Sequence, residues 1–166
     1  MEIYTKTLEY ETLIDVIQKR KFTKNDIKSF VHKVFSMYER ATCVNEHVDV
    51  EAFHEIVDEN IYVDFPDYQI RNREEFKEWH RWIHGLLNSD DHEIEKIDVE
   101  FLSNGKYQAR FIVRWRADFK DGTYVDSRIE QMWIMREEND RDLPVIERYL
   151  AAATDHILAQ DANEES

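Results

Sequence analysis

The chain has 166 residues, the length of one domain, and a formal net charge of −14. That charge disfavours nucleic acid and anionic lipid as partners, and no apolar run is long enough to span a membrane. Cys43 is the only cysteine and the chain has 3 glycines, which excludes an internal disulfide and a glycine-rich phosphate loop. We therefore expect a one-domain cytoplasmic protein that needs no cofactor.

Helical spacing dominates the first third of the chain. Apolar residues recur at i, i+3, i+4 and i+7 over residues 7–19, which predicts an amphipathic leading helix. Thr23 and Asp26 have the spacing of a helix start, and the apolar stripe of a long second helix follows over residues 27–38. A third, shorter helix is expected over residues 49–57.

A short strand and a fourth helix follow. Residues 61–65 are strand-like, and Pro66 ends the strand because it lacks a backbone donor. Asn72 and Glu75 have capping-box spacing, so the next helix should start there. Its inward stripe consists of Phe76, Trp79, His80, Ile83 and Leu87.

Beyond residue 92 the pattern alternates as in β-strands. Strands are predicted at 97–101, 107–119, 123–136 and 145–153, with two-residue turns at Asn104-Gly105 and Asp121-Gly122. Helices followed by a meander of long strands predict an α+β fold, in which the helices cover the concave face of a bent sheet and enclose a cavity.

This element order, together with Tyr62-Val63-Asp64-Phe65-Pro66 ahead of the fourth helix, resembles the NTF2-like superfamily over about residues 23–153. That superfamily includes SnoaL-like polyketide cyclases, ketosteroid isomerases, scytalone dehydratases and limonene epoxide hydrolases. The resemblance implies an NTF2-like cone in which N-terminal helices pack on a strongly bent antiparallel sheet. A small apolar ligand would occupy the open end, and a homodimer would form through the outer sheet face. The chain would comprise a leading helical extension (1–22), the NTF2-like domain (23–155) and an acidic tail (156–166).

Individual residues match the epoxide hydrolases in part. Tyr62 and Asp64 resemble their Tyr-x-Asn segment, with Asp in place of Asn. Arg128 and Glu130 resemble their Arg-x-Asp pair, with Glu in place of Asp. Arg148 stands where those enzymes carry a second catalytic aspartate, so their acid pair is incomplete here. The oxyanion tyrosine of the ketosteroid isomerases corresponds to about Phe30, which has no hydroxyl.

The chemistry of these residues depends on which way their strands face. Tyr62 and Asp64 are two apart and share a face, so an inward orientation would desolvate the carboxylate and prepare it for proton transfer. Facing outward, Asp64 would be a solvated acid. Arg128 and Glu130 could likewise orient a substrate oxygen or, facing outward, belong to a surface charge ladder.

His80 lies on the apolar stripe of its helix, which suits a pocket acid, base or donor, or a buried core residue. With His84 it has the i, i+4 spacing of two metal ligands, and Asp64 or Glu130 could supply a third. Such a pair is more often one core and one surface histidine, so no metal site is predicted.

We therefore expect a SnoaL-like protein that binds a small, largely apolar molecule and acts as a cofactor-free lyase, isomerase or epoxide-type hydrolase. Asp64 would be the base, His80 or Tyr62 the donor, and Arg128 with Glu130 the orienting pair. The alternative is a non-catalytic ligand-binding or protein-interaction module of the same fold. The expected ligand-binding residues are Tyr62, Phe65, Trp79, Phe30, Tyr38, Phe111, Trp115 and Met132.

Overall fold

The structure is a computed structural model that describes residues 20–43 and 52–153. The predicted leading helix, the acidic tail and the predicted helix start at Asp49 lie outside this part of the chain. The helices are α1 (Lys24–Cys43), α2 (Phe53–Ile56) and α3 (Arg73–Leu86). The strands are β1 (Val57–Phe65), β2 (Tyr68–Ile70), β3 (Leu87–Phe101), β4 (Tyr107–Phe119), β5 (Tyr124–Arg136) and β6 (Val145–Ala153).

Both long helices begin at the caps that the sequence predicts. Thr23 Oγ1 accepts from Asp26 N at 3.1 Å, and Asp26 Oδ2 accepts from Thr23 N at 2.9 Å, which is a reciprocal capping box at the start of α1. Asn72 Oδ1 accepts from Glu75 N at 2.9 Å at the start of α3. These bonds satisfy backbone donors that a helix N-terminus leaves without partners.

The six strands form one mixed sheet in the order β2-β1-β6-β5-β4-β3. Strands β3 to β6 are the predicted antiparallel meander. β1 differs, because it runs parallel to β6 and antiparallel to the short β2. Parallel neighbours require a long crossover rather than a hairpin, and α3 with the meander supplies it. The α+β prediction is confirmed, with a mixed sheet in place of a purely antiparallel one.

The two hairpin loops are longer than predicted. Leu102 N donates to Lys106 O at 2.9 Å, so residues 103–105 form a three-residue loop. Phe119 N and Thr123 O close the next hairpin in the same way at 2.9 Å. Gly105 and Gly122 have φ values of 82° and 89°, a conformation that the loop's last residue must adopt and that glycine adopts without a steric penalty.

Two strands begin earlier than the sequence pattern indicates. β1 starts at Val57, the last residue of the expected third helix, and β3 starts at Leu87, the last residue of the expected fourth helix. Leu87 pairs with Phe119, so the early start of β3 is fixed by the far end of β4 rather than by local propensity. A bulge between Glu95 and Asp98, with Lys96 at φ 47°, distorts this long edge strand.

The helices α1 and α3 cover the inner face of the sheet. The core between them contains the large buried side chains Trp133, Tyr107, Tyr149, Phe76 and Phe111. Aromatic rings pack edge to face through it, as Phe111 does against Phe35 and Trp133, and aliphatic side chains fill the space around them. Within residues 20–43 and 52–153, no helix has the length and apolar composition needed to cross a membrane.

Candidate functional site

A cavity of about 480 Å³ lies between α1, α3 and the inner sheet face. Aromatic side chains form a large part of its wall, among them Phe35, Tyr38, Phe65, Trp79, Trp115 and Tyr149. At its rim, Trp82 and Tyr68 are 59% and 49% exposed, which is unusual for side chains of this size. The volume lies within the range of small-molecule sites, and the lining is predominantly apolar with a few polar groups.

Asp90 and His92 bring two ionisable side chains into this apolar wall. They lie two residues apart on β3, on its inner face. Asp90 Oδ1 accepts a hydrogen bond from Trp115 Nε1 at 2.5 Å and lies 3.6 Å from His92 Nε2. On the other side of the ring, His92 Nδ1 lies 3.6 Å from Glu39 Oε1 on α1. The imidazole is therefore held between two carboxylates.

Asp90 is almost completely buried, with its side chain 2% exposed. Desolvation by this burial raises the pKa of Asp90, although His92 and the Trp115 hydrogen bond act in the opposite direction. A buried carboxyl whose pKa is raised by desolvation is a candidate for proton transfer.

His80 and His84 stack one helical turn apart on α3, with ring centroids 4.2 Å apart. Burial, and then the neighbouring His84, lowers the pKa of His80 to about 3. Burial, and then His92, lowers the pKa of His84 to about 4. Both rings are thus neutral at pH 7. His84 Nδ1 shares a hydrogen bond of 2.7 Å with Thr42 Oγ1, and its Nε2 is buried without a hydrogen-bond partner.

A second polar chain crosses the cavity wall. Gln131 Oε1 accepts from Trp133 Nε1 at 3.1 Å, and the Gln131 side chain acts on Tyr149 to lower the pKa of its phenol. Burial, and then the Tyr149 hydroxyl, raises the pKa of Tyr38 well above its ordinary value. Burial likewise raises the pKa of Tyr149. Both phenols therefore keep their protons and can serve as neutral donors.

Four of the predicted ligand-binding residues line the cavity: Tyr38, Phe65, Trp79 and Trp115. His80 is 3% exposed and stacks beside Tyr38, next to the cavity rather than on its surface. Phe30 and Phe111 are buried in the hydrophobic core instead, where Phe111 packs against Phe35 and Trp133.

The prediction that Tyr62 and Asp64 face the cavity is wrong. Their strand neighbours Ile61 and Val63 are fully buried, so the alternation of β1 directs the two polar residues to the outer face. The Arg148 guanidinium lies 5.8 Å from the centre of the Tyr62 ring on that face.

Arg128, Glu130 and Met132 also lie on the outer face. Trp133 and Gln131 are the inward residues of β5 in this region, which leaves the even-numbered positions outside. Arg128 pairs with Glu95 of β3 at 3.3 Å, as in the predicted charge ladder. The predicted constellation of Asp64, Arg128 and Glu130 therefore has no contact with the cavity.

The sequence pattern did not single out Asp90, His92, Glu39 or Gln131. Residues 88–91 resemble a polar loop, so the i, i+2 relation of Asp90 and His92 has meaning only once β3 is known to start at Leu87. In the part of the chain that the structure describes, no three His, Cys, Asp or Glu side chains are grouped to hold a metal ion.

These features define an α+β cone with an aromatic cavity and a buried carboxylate–imidazole pair. No protein-family model and no curated protein matches the chain. Several solved structures, however, are similar to this chain in fold. An uncharacterized protein with a cystatin-like fold from Caulobacter vibrioides is 12% identical, with a TM-score of 0.65 over 82% of this chain and 93% of that one.

Two further structures agree with this match. An NTF2-like superfamily protein from Salmonella enterica serovar Typhimurium LT2 is 9% identical, with a TM-score of 0.65 over 78% of this chain and 89% of that one. A proposed scytalone dehydratase from Novosphingobium aromaticivorans is 13% identical, with a TM-score of 0.58 over 76% and 83%. The chain therefore has the NTF2-like, cystatin-like fold.

Proposed function

We propose that this protein binds a small, largely apolar molecule that carries a carbonyl or hydroxyl oxygen, and that it is a cofactor-free lyase or isomerase. The observation that carries the proposal is the Asp90–His92 pair, buried in the wall of a largely apolar cavity. Burying a carboxylate is costly, so its position in a ligand-sized cavity favours a role in proton transfer.

The aromatic wall would bind the flat, apolar part of the ligand. Phe65 and Trp79 line the cavity with ring centroids 5.0 Å apart, and Trp115 of β4 lines it too. Tyr38 and Tyr149 are protonated phenols beside them and would donate to the ligand's oxygen. An anionic ligand is disfavoured because Asp90 and Asp67 also line the cavity.

In this scheme Asp90 takes a proton from carbon next to the ligand's oxygen, while Tyr38 and Tyr149 stabilise the oxyanion that develops. His92 then exchanges the proton with Asp90 through Nε2. The 3.6 Å separation is longer than a hydrogen bond, and contacts of this kind commonly tighten when a ligand binds.

Epoxide-type hydrolysis is not part of this proposal. It depended on Tyr62 and Asp64 together with Arg128 and Glu130, and those residues are on the far side of the sheet from the cavity. The similarity to a proposed scytalone dehydratase agrees with a lyase, but at 13% identity it supports the fold and gives only an analogy for the chemistry.

The test is a panel of flat ketones, enones and phenols, screened by thermal shift and then assayed for turnover by proton exchange into deuterated water. For a ligand that raises Tm, the Asp90→Asn and His92→Gln variants should turn it over at least about 10²-fold more slowly, while they still bind it. Asp64→Asn and Glu130→Gln are matched controls on the outer face and should leave turnover unchanged.

Three outcomes separate the candidates. Stabilisation with no turnover in any variant supports the non-catalytic binding module, which the short bond between Trp115 and Asp90 also favours because it occupies one carboxylate oxygen. Loss of turnover in Asp64→Asn would restore the outer-face residues as the site. No stabilisation by any member of the panel would contradict a pocket for flat apolar ligands.

We also propose a homodimer through the outer sheet face. This face carries the half-exposed apolar side chains Ile112, Met132, Ile134 and Leu150. Charged side chains on the same face pair within the chain, as Arg114 does with Asp126 at 3.0 Å. Light scattering should give a dimer mass, and Met132→Glu should halve it. A monomer mass for the unchanged protein would refute the assembly.

A further inference from the structure

The Asp90–His92 pair lies between two spaces of different character. On one side is the aromatic cavity. On the other is an open polar groove of about 630 Å³, lined by Ser36, Glu39, Arg40, Ser89, Asp90, Asp91, Arg116, Ala117, Asp118 and Tyr124. Asp90 lines both spaces, His92 lines the cavity and Glu39 lines the groove. The three side chains therefore bridge the wall between them.

The order of the three groups follows their access to solvent. The side chain of Asp90 is 2% exposed, that of His92 is 10% exposed and that of Glu39 is 31% exposed. Both contacts along the series are 3.6 Å between a ring nitrogen and a carboxylate oxygen. Because the imidazole has one nitrogen toward each carboxylate, it can accept a proton on one side and release one on the other.

We propose that Glu39 is a relay residue that exchanges protons between His92 and water in the polar groove. This inference rests on the proposed function, since it supplies the proton balance for Asp90. A proton passes from Asp90 to His92 Nε2, the proton on Nδ1 passes to a Glu39 oxygen, and Glu39 releases it to water. No bond between heavy atoms changes, and the reverse sequence returns a proton to Asp90.

The arrangement separates the route of the ligand from the route of the proton. A ligand that enters past Trp82 and Tyr68 would close the cavity to water, which strengthens electrostatic interactions inside but isolates Asp90. The groove opens on a different set of residues, so exchange through Glu39 would continue with the cavity filled. The groups that face His92 are Glu39 from α1, Asp90 from its own strand, and His84 from α3.

Glu39 also has a structural role, and the test must exclude it. Its Oε1 accepts from the backbone N of His92 at 2.9 Å. Glu39→Gln keeps a carbonyl oxygen for this bond but cannot carry the proton, so it separates the two roles. The matched control is Asp118→Asn, which removes a groove carboxylate that bonds Ser89 Oγ at 2.8 Å.

The experiment measures exchange of the His92 ring N–H with water by NMR on protein with ¹⁵N-labelled histidine and no ligand. We expect Glu39→Gln to slow exchange at least about tenfold, below the 10² to 10⁴ that a positioned acid or base commonly contributes, and Asp118→Asn to leave it unchanged. Exchange at the original rate or faster in Glu39→Gln would overturn the relay.

If the Gln variant does not fold, Glu39→Ala with added formate serves instead, because a free carboxylate can occupy the vacated space. Faster exchange on addition of formate supports the relay, and no change refutes it. Since no ligand is present, a negative result removes Glu39 and leaves the proposed function standing. Failure of the ligand panel would leave this measurement valid.

Discussion

Replacing Asp90 with asparagine should make the protein more stable at neutral pH. Asp90 is buried, which disfavours its charged form, whereas His92 and the Trp115 hydrogen bond favour that form. Burial is the largest effect, so the pKa of Asp90 is raised. The folded state therefore disfavours the carboxylate. An asparagine removes the charge but keeps an oxygen that can accept the Trp115 N–H bond.

The magnitude and its pH dependence follow from proton linkage. Because the pKa of Asp90 is raised on folding, the folded state holds this proton more tightly than the unfolded chain, whose ordinary value is 3.8. Below that pH both proteins are neutral at residue 90 and should have similar stability. As pH rises through the raised pKa, the protein with Asp90 loses stability relative to the Asp90→Asn protein. Above that pKa the difference between their free energies of unfolding is constant. At pH 7 we expect a gain of about 0.5 to 2 kcal/mol, as is common when a functional group is removed from a costly environment.

Urea titrations from pH 4 to 8 measure this difference directly, and Tm should rise by about 3 °C per kcal/mol for a domain of this size. Asp91→Asn is the control, since Asp91 is 56% exposed and pairs with Arg116 at 2.7 Å. It should lose at most about 1 kcal/mol, with no gain at high pH. An Asp90→Asn protein that is less stable at pH 7, or whose difference does not grow with pH, would refute the reasoning.

Three further changes test other parts of the structure. Thr23→Ala removes the α1 cap and should lower the free energy of unfolding by about 1 kcal/mol in urea, whereas Asn25→Ala, at an exposed neighbouring position, should change it by less than about 0.5 kcal/mol. Trp115→Phe leaves Asp90 without its indole donor and should cost about 1 to 3 kcal/mol in the same titration, and no loss would argue against the bond. For His84 the pKa is lowered to about 4, so its stability contribution is present above the unfolded value of about 6.5 and is lost as pH falls toward 4. His84→Gln should abolish up to about 2 kcal/mol of the stability loss between pH 7 and 5, and an equal loss in both proteins would contradict this assignment.

The parts of the fold that depend on local sequence could be predicted. The Thr23–Asp26 box, the cap at Asn72 and the alternation within β5 all follow from residues a few positions apart. Which face of β5 turns inward could not be read from the same alternation, because both faces mix charged and apolar side chains. The pairing of β5 with β4 and β6 decides it, and those contacts are distant in sequence.

The candidate site was missed for the same reason. Asn88, Ser89, Asp90 and Asp91 have the composition of a turn, and only the ladder with residues 116–119 of β4 makes them a strand. Tyr62 and Asp64 show the opposite error. Their family resemblance indicated a site, but the burial of Ile61 and Val63 requires the other face of β1 to point outward.

Polar groups beside the cavity and polar groups away from it differ in how fully they are hydrogen-bonded. Away from the cavity, Tyr107 donates to Glu137 at 2.6 Å and the partly buried Arg136 pairs with Asp58 at 2.7 Å. Arg20 Nε has no hydrogen-bond partner, although both its other guanidinium nitrogens donate to carbonyls. At the cavity, His84 Nε2 and His92 Nδ1 are buried without hydrogen bonds. Leaving such groups unpaired costs stability, and that cost is tolerated where a ligand completes the set. The two histidine nitrogens without hydrogen bonds and the carboxyl of Asp90 with its raised pKa therefore identify the same cavity as the candidate site.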